Sequence, residues 1–164
     1  MLRSVMANVE IVDFSDEWAE DFASLNYEWI EKYFSVEKHD REILDDPQTF
    51  VIDPGGQIFM AIVSGLAAGT VALIPSGDGV LELTKMAVAP EFQGMGIANH
   101  LMQSCIAYAE TNGTRLIFLE SHRSLQPALA LYRKFGFVEV PTDPNSEYER
   151  ADIRMELAIS GVNR

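Results

Sequence analysis

Large apolar side chains in the first third of the chain recur at the spacing of an amphipathic helix. Five of them follow one another at intervals of three or four residues: Trp18, Phe22, Leu25, Trp29 and Tyr33. Because an α-helix has about 3.6 residues per turn, these positions share one face. The pattern predicts a helix over 17–33, a short alternating strand before it over 9–14, and a second helix over 38–44 that stops before Pro47.

In the middle of the chain the hydrophobic period changes to two. Short alternating or apolar runs are separated by segments rich in glycine, proline and aspartate: 50–52, 58–63, 70–74 and 81–88. Segments 53–56, 65–69 and 75–79 carry the turn chemistry between these runs. The alternation predicts an antiparallel meander.

Beyond Pro90 the pattern becomes helical again, and that helix ends at Asn112-Gly113. The remaining predicted elements are a strand over 116–119, a helix over 127–135, and strands over 137–140 and 153–159. The predicted order is β-α-α-β-β-β-α-β-α-β-β, an α+β fold with a central mixed sheet flanked by helices. The β-α-β stretch over 81–119 requires at least one parallel pair of strands.

Length and composition agree with a folded globule. The chain has 164 residues, of which 48% are hydrophobic, and we find no repeat or linker that would divide it. We therefore expect a single domain over 1–164 with its core over about 9–159. No apolar run approaches the roughly 20 residues of a membrane span, and the first residues do not resemble a signal peptide, so the expected location is the cytoplasm, without membrane contact.

The net charge of −13 argues against a nucleic-acid partner, which needs clustered Lys and Arg. The acid is concentrated, because residues 1–50 contain 13 Asp and Glu against 4 Lys and Arg. This acidic third either attracts a cationic substrate or simply solvates helices. Cys105 is the only cysteine, which excludes a disulfide and a cysteine-rich metal site and predicts a buried, inert thiol; no metal is expected.

The most informative segment is a strand that runs into a glycine-containing turn and then a helix. Gly94 and Gly96 lack Cβ atoms, so their backbone allows close approach of a ligand, and the helix that follows directs free N–H groups at the same point. The arrangement predicts a phosphate site. A dinucleotide fingerprint is excluded because Asn99 stands where its third glycine belongs, and no Walker-type motif occurs.

Two motifs in this half resemble those of the GNAT superfamily of N-acetyltransferases. Gln93-x-x-Gly96-x-Ala98 matches the Q/R-x-x-G-x-G/A signature with which these enzymes hold the pyrophosphate of CoA, and Val88-Ala89-Pro90 matches the V-x-P that precedes it. Residues 129–137, which include Tyr132, resemble the A-x-x-x-Y-x-x-x-G-F signature. The resemblance covers roughly 9–159 and is specific in the second half.

The resemblance implies the GNAT acyltransferase fold, acetyl-CoA as cosubstrate and direct attack by an amine. It also implies contacts to CoA from a set of residues along the strand end, the turn and the later helix: Met86, Ala87, Val88, Gln93, Gly94, Met95, Gly96, Ile97, Ala98, His122 and Tyr132. Tyr132 stands at the motif position of the acid that protonates the departing thiolate. Glu82 stands where a base acts in the histone-modifying branch. His122 replaces an Asn common in the family, and it can serve as a hydrogen-bond donor to the pantetheine arm or as an alternative base.

By the same resemblance, the first two helices and the last strands build the acceptor pocket. We therefore expect a cationic primary amine, either a small molecule or a lysine or N-terminal amine. Trp29 and Tyr33 are candidates to offer aromatic faces to a cation, and three acids are candidate contacts: Glu28, Glu31 and Glu37. Two other functions stay open, an acyl-CoA-binding module with little turnover and a dimeric interaction protein that does not use CoA. A homodimer is likewise left open.

Overall fold

The computed structural model describes residues 8–160, which form one mixed sheet with helices on both faces. Within that range seven strands lie in the order β1-β2-β3-β4-β5-β7-β6. Their bounds are β1 Val9–Asp13, β2 Gln57–Val63, β3 Leu66–Pro75, β4 Val80–Val88, β5 Leu116–Ser121, β6 Val138–Val140 and β7 Ile153–Ala158. The α-helices are α1 Ala19–Tyr33, α2 Lys38–Asp45, α3 Ile97–Thr111 and α4 Gln126–Lys134. The predicted order β-α-α-β-β-β-α-β-α-β-β is confirmed, but the further strand predicted over 50–52 is not present.

Alternating side chains of the sheet build two separate apolar clusters, one on each face. Ile58 and Met60 of β2 pack with α1 and α2, whereas Phe59 and Ala61 pack with α3 and α4. Cys105 lies fully buried in the second cluster, where burial raises the pKa of its thiol, as expected of an inert cysteine. No helix in residues 8–160 combines the length and the apolar character needed to cross a membrane.

Strands β2, β3 and β4 form the predicted antiparallel meander, and β4 carries a bulge. Thr70 pairs with Ala87 and Ala72 pairs with Thr84, so a single residue of β3 faces two residues of β4, Lys85 and Met86. Lys85 adopts a φ of 58°, in the left-handed region that non-glycine residues rarely occupy. A bulge of this kind re-aims side chains and increases the local twist of the strand.

Strands β4 and β5 are the predicted parallel pair, and they remain paired over only three positions. The register runs from Val80 opposite Leu116 to Glu82 opposite Phe118. Beyond that point β4 continues to Val88 and β5 continues to Ser121, but the two strands no longer pair with each other. The separation leaves backbone groups on the facing edges of both strands available to a ligand.

Three local predictions were wrong. Residues 50–52 form no strand, since Gln48–Ile52 is a helical turn closed by the Asp53 N–H, which donates to the Gln48 carbonyl at 2.8 Å. A three-residue apolar run cannot distinguish a strand from a buried helical turn, and here Val51 anchors the turn in the core. The turn expected over 65–69 is shorter, with β3 beginning at Leu66.

The third correction concerns the apolar face of α1. Its buried residues are Phe22, Asn26 and Ile30, spaced by four. Trp29 is only half-buried, and Tyr33 is 48% exposed. The predicted stripe therefore contains two kinds of residue, some that enter the core and some that line an open cavity.

Candidate active site

A cavity of about 770 Å³ lies where β4 and β5 separate. It has two ends of different character. The wall of the glycine end is formed by α4 and by five residues of the strand end and turn: Met86, Ala87, Val88, Gln93 and Ala98. The charged end is formed by the later part of α1 and by five side chains: Glu82, Lys85, Glu120, Tyr148 and Arg150. Both ends open into the same space, so two ligands bound there would meet near the last pair of β4 and β5.

The turn at the glycine end leaves open space beside its two glycines. Gly94 and Gly96 adopt φ values of 85° and 74°, and a Cβ added at either would meet no other atom within 4 Å. Gly96 precedes α3, which has 15 residues and no side chain capping its N-terminus. The first N–H groups of α3 therefore have no intrahelical partner, which suits an anion. These features fit the pyrophosphate of CoA.

The residues predicted to bind CoA fall into two groups. Seven of them line the cavity: Met86, Ala87, Val88, Gln93, Ala98, His122 and Tyr132. Gly94, Met95, Gly96 and Ile97 do not contribute to the wall. The Ile97 side chain is buried over Gly69, where an added Cβ would come within 2.9 Å of it, so only the backbone of Ile97 is available to a ligand.

Tyr132 is held in α4 with its ring 6.0 Å from that of Phe137. Its hydroxyl lines the cavity and, within residues 8–160, makes no hydrogen bond to the protein. Burial raises the pKa of the phenol to about 12. The group therefore stays protonated at neutral pH and can donate a proton or a hydrogen bond into the cavity.

Glu82 is the last residue of β4 that pairs with β5. Burial raises the pKa of its carboxyl to about 6, an effect that Lys85 opposes and Glu120 increases. Within the described part of the chain, Glu82 forms no ion pair. The pKa of Glu82 is thus close to neutral pH, and the residue lines the cavity at the point where the two strands diverge.

His122 lies at the end of β5, near the mouth of the cavity, and both of its ring nitrogens have neighbours. Nδ1 is 2.7 Å from the Ser124 Oγ, and Nε2 is 3.4 Å from a carboxylate oxygen of Asp152. The ring meets that of Phe34 edge-on at 5.4 Å. A base role for His122 stays a prediction, and these contacts would have to rearrange for it.

Sequence reasoning missed a buried ion cluster at the charged end, and it gave Lys85 no role. The Lys85 Nζ donates to Asp40 Oδ1 at 2.8 Å and bonds to the Tyr148 hydroxyl at 2.7 Å. Arg150 donates to both Asp40 oxygens, each at 2.8 Å. Asp40 is completely buried. Burial alone would raise its pKa, but Arg150 and Lys85 hold that pKa well below its usual range.

Glu37, predicted as an acceptor contact, belongs to this cluster instead. Its carboxylate accepts from the Arg150 guanidinium at 3.1 Å and from the Glu149 N–H at 2.9 Å. Glu37 and Asp40 also form the capping box of α2. The cluster therefore ties α2, the bulge in β4 and the segment between β6 and β7 together. Glu28 and Glu31 are exposed and do not line the cavity.

An aromatic group lines the charged end beside two acids. The Trp29 ring lies 5.2 Å from Tyr33 and 6.1 Å from Phe34. Glu120 accepts a hydrogen bond from the Ser146 hydroxyl at 3.0 Å but, like Glu82, forms no ion pair within residues 8–160. Because the cations of this end are engaged by Asp40 and Glu37, its uncompensated charge is negative.

Nothing in the local sequence signals this cluster. Lys85 lies in a strand with an alternating pattern. The bulge that places its side chain on the cavity wall depends on a left-handed backbone conformation at Lys85, which is not a glycine. Tyr148 and Arg150 lie in a stretch without regular structure. Their partners are 45 to 113 positions away along the chain.

Comparisons with known proteins agree with this geometry. The model of the Acetyltransferase (GNAT) family matches residues 15–137, which include most of the sheet, the turn at the glycine end and Tyr132. The match stops before β6, so it does not reach Tyr148 or Arg150.

Among curated proteins, an uncharacterised N-acetyltransferase of Schizosaccharomyces pombe is 28% identical over 122 residues, covering 72% of this chain and 75% of the relative. The rat protein N-acetyltransferase 8 is 28% identical over 101 residues, covering 58% of this chain and 46% of the relative. The alignment thus covers less than half of the rat protein.

Solved structures share the fold. An acetyltransferase of the GNAT family from Staphylococcus aureus superposes with a TM-score of 0.84 at 17% identity, covering 93% of this chain and all of the other. The PaiA N-acetyltransferase of Thermoplasma acidophilum, determined in complex with coenzyme A, gives a TM-score of 0.71 at 18% identity, covering 92% of this chain and 99% of the other.

Proposed function

The chain belongs to the GNAT family of acetyltransferases, and on that premise we propose that it transfers an acetyl group from acetyl-CoA to a cationic primary amine at the charged end of the cavity. The observation that carries the acceptor class is the uncompensated negative charge there. Glu82 and Glu120 line the wall without an ion pair in the described residues, whereas Lys85 and Arg150 are both engaged by the buried carboxylate of Asp40. An ammonium group near aromatic rings and free carboxylates is favoured electrostatically.

Acetyl-CoA supplies the thioester carbonyl that the amine attacks. The residues that would hold its pyrophosphate are the backbone N–H groups of the turn and of the first turn of α3, together with Gln93. The facing edges of β4 and β5, beyond their last pair, leave the backbone of Met86 and Val88 available to the pantetheine arm. Support for this placement comes from the open space beside Gly94 and Gly96.

Glu82 takes the proton of the amine, directly or through a water. A free alkylamine with a pKa of about 10.4 is almost wholly protonated at neutral pH and cannot attack until that proton leaves. Since the pKa of Glu82 is raised to about 6, the carboxyl is mostly ionised at pH 7 and can accept it. His122 remains the alternative base.

Tyr132 protonates the departing thiolate from the opposite side of the same space. Its hydroxyl is free of protein partners within residues 8–160 and lines the cavity. Because both ends open into one cavity, the acceptor and the thioester can be bound at the same time. This supports direct attack in a ternary complex rather than transfer through a covalent acetyl-enzyme, and the buried Cys105 does not line the cavity.

The first test is calorimetric titration with acetyl-CoA, with NAD and ATP as controls. We expect micromolar binding of acetyl-CoA alone. Transfer to a panel of primary amines should then favour diamines and lysine-like amines over neutral or carboxylate-bearing ones of the same length. A preference for neutral or anionic acceptors would overturn the acceptor class. Binding without transfer to any amine would favour an acyl-CoA-binding module.

A matched pair of variants tests the role of the charged end. Glu120→Gln removes one uncompensated carboxylate and should raise KM for cationic acceptors while leaving the affinity for acetyl-CoA unchanged. Glu91→Gln changes an exposed acid outside the cavity and should alter neither quantity. Equal effects of the two variants would indicate general electrostatics rather than a contact in the cavity.

A further inference from the structure

The bulge of β4 holds an unusual residue at the charged end. Lys85 keeps a left-handed backbone, with φ of 58°, inside a strand, and this conformation is strained for a residue with a Cβ. Such a conformation persists only where the surroundings determine it. The bulge places the Lys85 side chain on the wall of the cavity together with Glu82 and Thr84.

Asp40 and Tyr148 fix the ammonium of Lys85 in this position. Burial lowers the pKa of Lys85, and the Asp40 carboxylate opposes that effect. The side chain is 3% exposed, and its Nζ contacts both Asp40 and the Tyr148 hydroxyl. The Nζ also lies 4.5 Å from the centre of the Tyr148 ring. Arg150 and the Glu37 N–H complete the bonds of the Asp40 carboxylate, so the counter-ion of Lys85 is itself held rigidly.

We propose that Lys85 is a positioning residue for proton transfer: Asp40 and Tyr148 hold its ammonium at the cavity wall that it shares with Glu82, where its positive charge favours the carboxylate form that accepts the proton of the amine. The inference rests on the proposed function through the role of Glu82 as base. Lys85 itself does not react, because its Nζ is already engaged by Asp40 and Tyr148.

Charged and titratable groups influence Glu82 from four parts of the fold. Lys85 comes from β4, Glu120 from β5, His39 from α2, and Glu147 from the segment between β6 and β7. Burial, Glu120 and Glu147 raise the pKa of Glu82, whereas Lys85 and His39 lower it, and Lys85 has the largest effect among the charges. Asp40 and Arg150 lie behind Lys85, and the Tyr148 phenol, with a raised pKa, stays neutral.

The sign of the effect follows from this balance. Removing the ammonium removes the main influence that lowers the pKa of Glu82, so the pKa rises and the carboxylate becomes protonated nearer to neutral pH. A nearby opposite charge favours the ionised form of an acid and so lowers its pKa. We expect Lys85→Met to move the acid limb of the kcat/KM profile upward by about one pH unit.

The rate profile is measured with acetyl-CoA and the best amine of the panel. Lys85→Arg keeps a positive charge and should restore the acid limb to near its wild-type position. Tyr148→Phe removes a hydrogen bond but no charge and should leave the limb nearly in place. A lower rate in Lys85→Met with an unmoved acid limb would show a merely structural role and overturn the proposal, as would an equal upward shift in Lys85→Arg.

A second measurement does not depend on activity. The Glu82 carboxyl can be titrated by carbon-13 NMR in the unliganded protein, with Glu82→Gln to assign its signal. We expect its midpoint to rise in Lys85→Met by the same amount as the acid limb. If the wild type transfers no acetyl group, the proposed function fails. If the midpoint does not rise in Lys85→Met, the inference about Lys85 fails, whatever the activity.

Lys85→Gly is the alternative variant to use if Lys85→Met does not fold. Glycine adopts the left-handed backbone of the bulge without strain and also removes the ammonium. In both variants Asp40 keeps its two bonds from Arg150, so no buried carboxylate is left without a cation. An unchanged Glu82 midpoint in Lys85→Gly overturns the proposal, and a raised one supports it.

Discussion

The two ends of the cavity are built in different ways from different parts of the chain. The glycine end consists of backbone, with two left-handed glycines and the uncapped N-terminus of α3, all within a few consecutive residues. The charged end consists of side chains, with Asp40, Lys85 and Arg150 held together by bonds between residues 45 to 110 positions apart. The first end offers free hydrogen-bond donors, whereas the second has most of its donors and acceptors already satisfied.

This difference predicts different costs of mutation. A site made of free backbone groups contributes little to the stability of the unliganded protein, and altering it should affect ligand binding alone. A site made of buried, mutually compensated charges is part of the core, because removing one partner leaves another buried charge unpaired. Substitutions at four residues test whether the two ends differ in this way.

Asp40→Asn should have the largest effect, a loss of about 3–5 kcal/mol in the free energy of unfolding. It leaves Lys85 and Arg150 without their shared counter-ion in a fully buried position. Chemical denaturation measures the loss, and the affinity for acetyl-CoA in the remaining folded protein should be nearly unchanged. Asp78→Asn, at an exposed turn, is the control and should leave stability within about 0.5 kcal/mol.

The pH dependence of this loss is a further check on the same variant. The folded-state pKa of Asp40 lies well below its unfolded value of about 3.9, so its stabilising contribution is fully present above that value. The contribution is lost as the pH falls through the folded-state pKa. The gap in stability between wild type and Asp40→Asn should therefore be constant near neutrality and shrink in acid. A gap that persists unchanged below pH 3 would contradict this assignment.

Gly96→Glu should weaken the binding of acetyl-CoA by a factor on the order of 100, because an acidic side chain then competes for the N–H groups at the start of α3. The fold should survive with a modest loss of stability, because an added side chain at Gly96 meets no other atom but the positive φ is strained for a residue with a Cβ. Calorimetry measures the affinity. Gly113→Glu is matched to it, with a φ of 72° and equally open surroundings, and should bind as the wild type does.

Tyr132→Phe should lower kcat by about tenfold with little change in KM for acetyl-CoA. This is below the usual range for general acids of about 10²–10⁴, because a thiolate, with a pKa of about 8.5, needs a proton less than an alkoxide does. Steady-state kinetics with the best amine measures both constants. Tyr108→Phe removes a hydroxyl outside the cavity that lies 3.5 Å from a backbone oxygen, and it should leave kcat unchanged.

Trp29→Leu should have the smallest effect, a rise of about fivefold in KM for cationic acceptors, in line with about 1 kcal/mol for a cation over an aromatic ring. The KM for a neutral acceptor should change less. Trp18→Leu, in a half-buried position that does not line the cavity, is the control. Equal changes in KM for charged and neutral acceptors would show that Trp29 makes no specific contact with a cationic group of the acceptor.

The sequence predicted the fold well because its signals are local. The alternation in β2 to β4, the helical period in α1 and α3, and the turn residues between them each depend on a few neighbouring residues. The prediction failed at 50–52, where a short apolar run formed a helical turn. Next to this turn Gly56 packs closely against the backbone of β3, since a Cβ added at Gly56 would lie 2.3 Å from the Leu73 oxygen. Contacts of this kind are decided by tertiary packing, which a local pattern does not contain.

The same distinction governs the site. The glycine end was predicted from one contiguous motif, and residues of that motif line the cavity together with Tyr132 and Glu82. The ion cluster was missed because a strand lysine and a loop arginine have no pattern that joins them to Asp40. The alternating pattern gave Lys85 no role. The bulge that changes the position of Lys85 has a left-handed backbone at this residue, and no glycine in the sequence signals that conformation.

The separation of Asp40 and Arg150 also sets an order of events during synthesis of the chain. When a ribosome has made α2 and β4, but not residue 150, one of the two cations that contact Asp40 within residues 8–160, Arg150, is still missing, and Lys85 is present. The strand-turn-helix unit of the glycine end needs no partner beyond its own neighbours and the sheet. The charged end is therefore completed only when the segment carrying Arg150 has been made and its guanidinium has reached Asp40 of α2.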